Sequence, residues 1–166
     1  MIEFSDEPVA VIPLGAALAM KVEDVYVQNR RFWIRLHEKG GKLHEMPCHH
    51  VLEEWLHAYV EGAGIADDPK GWLFRSVDRN RRALTNRRLA HANAYLMVKK
   101  RAKMAGLETP ITNHSFRAAG ITAYLSNGGT LEQAARMANH ASTRTTQLYD
   151  RRDDSVTLSE VEKIRL

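Results

Sequence analysis

The sequence predicts a mainly helical domain with one small three-stranded antiparallel sheet near its start. Apolar pairs Val51-Leu52, Trp55-Leu56 and Tyr59-Val60 recur at helical spacing. Runs rich in β-branched and aromatic residues, Asp24–Gln28 and Phe32–Leu36, flank the polar Asn29, Arg30 and Arg31. Helix-start residues, among them Thr112 or Asn113, Thr130 and Ser142, recur through the second half. A chain of 166 residues with 44% apolar content fits one domain with a real core.

Taken in order, Leu14–Met20 is a run of small apolar residues that suits a first helix over residues 13–21. Two strands follow, meeting at Asn29-Arg30-Arg31. Lys39-Gly40-Gly41-Lys42 is the next hairpin tip, because adjacent glycines permit positive φ. Leu43–Met46 returns as the third strand and Pro47 stops it. A helix spans His49–Glu61, and residues 62–70 form a loop. Thr85 caps a long basic helix running to Met104, which Gly106 ends. A helix opening at His114 is separated by Gly128-Gly129 from the next, where Thr130 and Gln133 match a capping box. Ser142 opens a further helix carrying Tyr149, and a tail places Leu158, Val161 and Ile164 along one side.

Charge narrows the function. Lys70 to Lys103 holds eleven basic residues and one acid, Asp78, so the rest of the chain has thirteen basic residues against nineteen acids. A local field this positive suits a polyphosphate partner, because each neutralised phosphate releases counterions. The expected contacts with double-stranded DNA are Lys42, Arg75, Arg79, Arg81, Arg82, Arg87 and Arg88. Membrane insertion is not expected, since Val9–Met20 is too short to span a bilayer and follows acids. The single cysteine, Cys48, forbids an internal disulfide and suits the cytoplasm.

Residues that carry phosphate chemistry are few. His114 and Arg117, three apart on a helix, project from one face. Arginine offers a planar fork matched to two phosphate oxygens, and histidine exchanges a proton near neutral pH. His140 precedes Tyr149 by nine residues. A free phenol titrates near pH ~10, so a tyrosine nucleophile needs a cation or a histidine beside it. Lys39 at the hairpin tip can protonate a leaving oxygen, with Lys42 as its rival. Each residue alone has an ordinary structural explanation; their order and spacing carry the argument. Cys48, His49 and His50 are adjacent, without zinc-site spacing, and His37 and His44 are expected to face each other across the hairpin. With no paired acids and no phosphate-binding glycine loop, neither metal nor cofactor is expected.

Lys39, His114-x-x-Arg117, His140 and Tyr149 together resemble the catalytic domain of the tyrosine recombinases, the phage-integrase family. Residues 139–152 match that family's Gly-His-x-x-x-x-x-Thr-x-x-Tyr block, with Asn139 in the glycine position. The resemblance runs from about Gly15 to Arg152. It implies the recombinase catalytic fold and metal-independent, site-specific recombination or integration through a 3′-phosphotyrosine. It casts Tyr149 as nucleophile, Arg117 and His114 as ligands of the phosphorane oxygens, Lys39 as the acid for the leaving group, and His140 as an aid near the phosphate.

One departure stands out. The family carries a first catalytic arginine in a Gly-Leu-Arg-x-x-Glu-Leu pattern, and aligning on Met20–Asp24 puts Pro13 in its place and Ala16 in place of the acid. Proline has no side-chain donor, and losing such a donor set costs ~10²–10³-fold in rate. Residues 1–14 therefore read as a foreign or remnant start on an N-terminally truncated member, 15–152 as the catalytic domain, and 153–166 as a tail. That tail docks on a neighbouring protomer or packs on its own domain; the sequence leaves both open. Impaired recombination is the first expectation. A non-catalytic DNA-binding remnant or regulator is the second, and a type IB topoisomerase-like enzyme the third.

Overall fold

The computed structural model describes residues 12–37, 40–78, 80–107 and 111–150. Helix α1 spans Leu14–Leu18, and a short 3-10 turn follows at Val22–Asp24. Strands β1 (Val25–Gln28), β2 (Arg31–His37) and β3 (Leu43–Pro47) form an antiparallel sheet in that order. Helix α2 (His50–Gly62) follows, capped at His49, whose ring accepts the Val51 N–H. Then come a second sheet, β4 (Arg75–Asp78) with β5 (Ala83–Arg88), and helices α3 (His91–Met104), α4 (Asn113–Ser126), α5 (Leu131–Met137) and α6 (Thr143–Gln147).

In β2 the side chains alternate as a pleated strand requires. Ile34 and Leu36 are almost fully buried, and Arg35 between them pairs across the sheet with Glu45 at 2.8 Å. That ion pair holds the Glu45 carboxyl below its usual range. Burying each aliphatic side chain stabilises the fold by roughly 1.5–3 kcal/mol. Ile34 and Leu36 join Met20, Leu56 and Leu73 in a first core, which also buries Cys48 and pushes its thiol up to about 11. A second core lies in the later helices, built from Ile121, Leu125, Ala134 and Ala138 with Tyr149 packed against it.

Helix ends follow one rule. At the C-termini of α2, α3 and α4, a glycine with positive φ (Gly64, Gly106, Gly128) lets two successive N–H groups turn back onto the last carbonyls. Helix α5 ends the same way with Asn139 at φ 46°: its N–H donates to Arg136 O at 3.0 Å and the His140 N–H to Ala135 O at 2.9 Å. Asparagine tolerates this left-handed conformation better than most residues. That is the physical content of its standing in a glycine position, and it fixes where His140 begins.

Several expectations need correction. Thr85 caps no helix: it lies in β5, which pairs with β4 as an antiparallel hairpin, and α3 starts at His91 after Ala90. Asp78 Oδ1 accepts the N–H groups of Asn80 and Arg81 and shapes that turn. The turn between β1 and β2 holds two residues, Asn29 and Arg30, both at positive φ, while Arg31 already belongs to β2. His37 and His44 lie on opposite faces of the sheet, because His44 pairs with Leu36 and His37 with Leu43. His37 Nε2 instead meets both oxygens of buried Asp24 at 2.9 Å. The tail segment around Leu158, Val161 and Ile164 lies outside the described residues.

Arg30 at φ 62° occupies a position that a glycine takes without steric cost. Arg30→Gly is expected to raise the unfolding free energy by ~0.5–1 kcal/mol. A higher denaturant midpoint at unchanged slope is the expected readout; a lower midpoint contradicts the turn geometry.

Candidate active site

Three of the five residues expected to carry chemistry meet where α4, α5 and α6 converge. Arg117 is the fifth residue of α4. Its guanidinium donates from Nη2 to the carbonyl of Ala138, the C-cap of α5. A cation at the end of a helix with unsatisfied carbonyls is favourable. His114, three residues earlier on α4, is exposed at the surface.

His140 emerges from the turn that closes α5. Its ring lies nearly parallel to that of Tyr149, with centroids 6.2 Å apart and planes 18° from each other. Its Nδ1 lies 2.8 Å from the hydroxyl of Thr146, a residue with no exposed surface. Burial, and then the nearby Arg117 charge, hold the imidazole below its usual value of 6.5. Both effects favour the neutral ring over the charged one.

Tyr149 does not sit on α6. The helix ends at Gln147, Leu148 caps it, and Tyr149 follows in the turn. Its N–H donates to Thr146 O at 2.9 Å, and its carbonyl accepts from Thr122 Oγ1 on α4 at 3.0 Å. The ring is half-buried against the second core. Leu148 beside it is 82% exposed, so the segment passes from core to solvent within one residue.

Lys39 and Arg79 lie outside the described residues. Gly40 and Gly41 beside Lys39 have φ 82° and 76°, as a hairpin tip requires. Pro13 caps α1 at φ −61°, and its carbonyl accepts the N–H groups of Ala16 and Ala17. Its side chain offers no donor.

The basic set divides in two. Lys42, Arg81, Arg82, Arg87 and Arg88 are exposed, the last four on or beside the β4–β5 hairpin. Arg88 reaches back to Gly15 O at 3.5 Å and stacks over the Trp72 ring. Arg75 behaves differently. Its side chain is only 7% exposed, pairs with Asp68 at 2.8 Å, and donates to the Trp72 carbonyl at 2.8 Å. A Cβ on Gly71 would stand 2.1 Å from the Asp68 carboxylate, so the bare glycine makes room for the pair. Arg75 thus braces the fold, and its expected place among surface contacts is withdrawn. Among the described residues no group of three or more His, Cys, Asp or Glu side chains is placed to hold a metal ion. No described helix is long and apolar enough to cross a membrane.

Sequence reasoning missed Thr146, whose side chain touches His140 and whose carbonyl holds Tyr149. It stands in the threonine position of the motif already noted, which was the available signal.

Comparison with known proteins places these features in a family. Residues 14–155 match the model of the phage integrase family. Tyrosine recombinase XerD of Chlorobaculum tepidum is 28% identical over 133 residues, covering 79% of this chain and 41% of the relative. XerD of Listeria innocua is 31% identical over 133 residues, covering 78% and 42%. The chain thus spans less than half the length of these two relatives. Among solved structures, XerA recombinase superposes with a TM-score of 0.71 at 24% identity, covering 93% of this chain and 52% of that one. The XerH site-specific recombinase, in a post-cleavage complex with its palindromic difH substrate, gives 0.69 at 21%, covering 86% and 39%. These likenesses show the fold of a tyrosine recombinase catalytic domain. With a family match across most of its length, the chain belongs to the phage integrase family.

Proposed function

We propose that this chain is the catalytic domain of a site-specific DNA recombinase that cleaves through Tyr149, with its rate lowered by Pro13. The meeting of Arg117, His140 and Tyr149 at one corner of the helical core carries this reading. A guanidinium, a neutral imidazole and a phenol are what metal-free phosphoryl transfer requires. In the proposed reaction the Tyr149 hydroxyl gives its proton to solvent water, the Arg117 cation stabilising the phenolate, and its oxygen bonds to phosphorus. The bond from phosphorus to the 5′ oxygen breaks, and that oxygen leaves with a proton supplied by Lys39. Arg117 and His114 hold the non-bridging oxygens. A 5′ hydroxyl from another strand then gives its proton to the now neutral Lys39 and attacks the phosphotyrosine, and the phosphorus–tyrosine bond breaks to release Tyr149, which takes a proton from water. The proposed partner is double-stranded DNA, gripped in part by the exposed arginines of the β4–β5 hairpin. Residues 15–152 are proposed as the catalytic unit and 153–166 as a tail that docks on a neighbouring protomer. The proposed compartment is the cytoplasm.

Pro13 favours a second reading, a DNA-binding remnant or regulator without strand cleavage. A nicked suicide duplex separates the two. The catalytic reading expects a covalent adduct that is absent in Tyr149→Phe, and Pro13→Arg is expected to raise its rate by ~10²–10³-fold. DNA retained in a gel shift with no adduct from the wild type or from Pro13→Arg supports the remnant.

Salt titration tests the division of the arginines. Arg87→Ala is expected to reduce the slope of log K against log salt by about 1. Arg75→Ala is expected to leave that slope unchanged while lowering stability by about 1–3 kcal/mol. The reverse pattern contradicts the ion-pair assignment.

His140 also predicts a pH dependence of stability. Its pKa is lower folded than unfolded, so the unfolded chain binds more protons as pH falls below about 6.5. Its contribution is complete above that pH and is lost as pH falls through the folded value. Wild type is expected to lose more stability than His140→Gln between pH 7 and 5, and equal losses contradict it.

A further inference from the structure

We infer that Thr146 is a positioning residue: its hydroxyl holds the His140 ring with the proton on Nε2, and its backbone ties that ring to the turn bearing Tyr149. Thr146 is fully buried, and its hydroxyl lies 2.8 Å from His140 Nδ1. Among the described residues this is the hydroxyl's one hydrogen-bond partner. A buried O–H that donates to nothing loses the solvation it had in water, so the hydroxyl proton goes to Nδ1. An Nδ1 that accepts carries no proton, and the neutral ring then keeps its proton on Nε2. The same residue's carbonyl accepts the Tyr149 N–H at 2.9 Å. One buried threonine therefore sets both the orientation of the imidazole and the start of the tyrosine turn.

The consequence is chemical. With Nδ1 occupied and Nε2 protonated, neutral His140 offers an N–H donor to an anionic oxygen and has no free lone pair for the tyrosine proton. His140 thus acts by hydrogen-bond donation and not as the base for Tyr149.

The kinetic part of the test rests on the catalytic reading proposed above; the spectroscopic part does not. The full chain labelled with ¹⁵N-histidine is examined by long-range ¹H–¹⁵N correlation at pH 8, with His140→Gln assigning the signals. The expected wild-type pattern is an unprotonated Nδ1 and a protonated Nε2. Thr146→Val removes the hydroxyl and keeps the shape, so a mixture of tautomers is expected. Thr146→Ser restores the donor and the wild-type pattern. On a nicked duplex at saturating protein, Thr146→Val is expected to slow adduct formation about tenfold without changing affinity, with Thr146→Ser within about twofold of wild type.

A wild-type His140 protonated on Nδ1 overturns the inference at once, as does a Thr146→Val spectrum identical to wild type. Should Thr146→Val not fold, the wild-type tautomer and the Thr146→Ser pattern decide the matter alone. Should the tautomers behave as expected while neither wild type nor Pro13→Arg forms an adduct, the positioning role stands and the catalytic reading fails.

Discussion

The contact between the Arg117 guanidinium and the Ala138 carbonyl is the one on which the rest of the site depends. It joins the middle of α4 to the end of α5, at the point where the chain must reverse to deliver His140. Asn139 makes that reversal possible by adopting a left-handed conformation, and the next residue is the histidine itself. Thr122 then reaches from α4 to the Tyr149 carbonyl, so one helix fixes both the arginine and the backbone of the tyrosine. The candidate site is thus positioned by helix ends and caps, with a small core of Ile121, Leu125, Ala134 and Ala138 beneath them. Small side chains let the helices approach closely, which brings short polar bonds within reach.

Electrostatics at this corner act in one direction. A half-buried imidazole beside a guanidinium resists protonation, so positive charge is concentrated on the arginine. An anion entering the corner meets one full positive charge and a neutral ring. This suits a phosphodiester, whose charge is modest before attack and grows on the phosphorane. The exposed arginines of the β4–β5 hairpin add a field of longer range, screened beyond about 10 Å at 0.1 M salt.

Much of the fold was legible because its signals are local. The Gly40-Gly41 tip, the Thr130 cap and the period of α2 are each written within a few residues. The β4–β5 hairpin was not, because its strands are mostly exposed and rich in arginine, with Val77 facing Leu84 in solvent. No apolar alternation marks such a strand, and its charges suggested a helix. Arg75 shows the same limit in the site: nothing nearby in sequence distinguishes it from its exposed neighbours, since its burial depends on Asp68 and on the missing Cβ of Gly71. Tyr149 was placed on a helix that stops two residues short of it, because a frayed last turn and a continuing helix have similar composition. The motif carried Arg117, His140 and Tyr149 as a set, and it held Thr146 too, but only packing revealed what that threonine touches.

The proposed reaction requires Arg117, His140 and Tyr149 to address a single phosphorus atom. A crystal structure of the chain with a nicked duplex and orthovanadate tests this most directly. The expected result is vanadium bonded to the Tyr149 hydroxyl oxygen, with its equatorial oxygens hydrogen-bonded to the Arg117 guanidinium and to His140 Nε2. A complex in which DNA is bound, vanadate occupies the cleavage point and Tyr149 stays packed on the second core contradicts it.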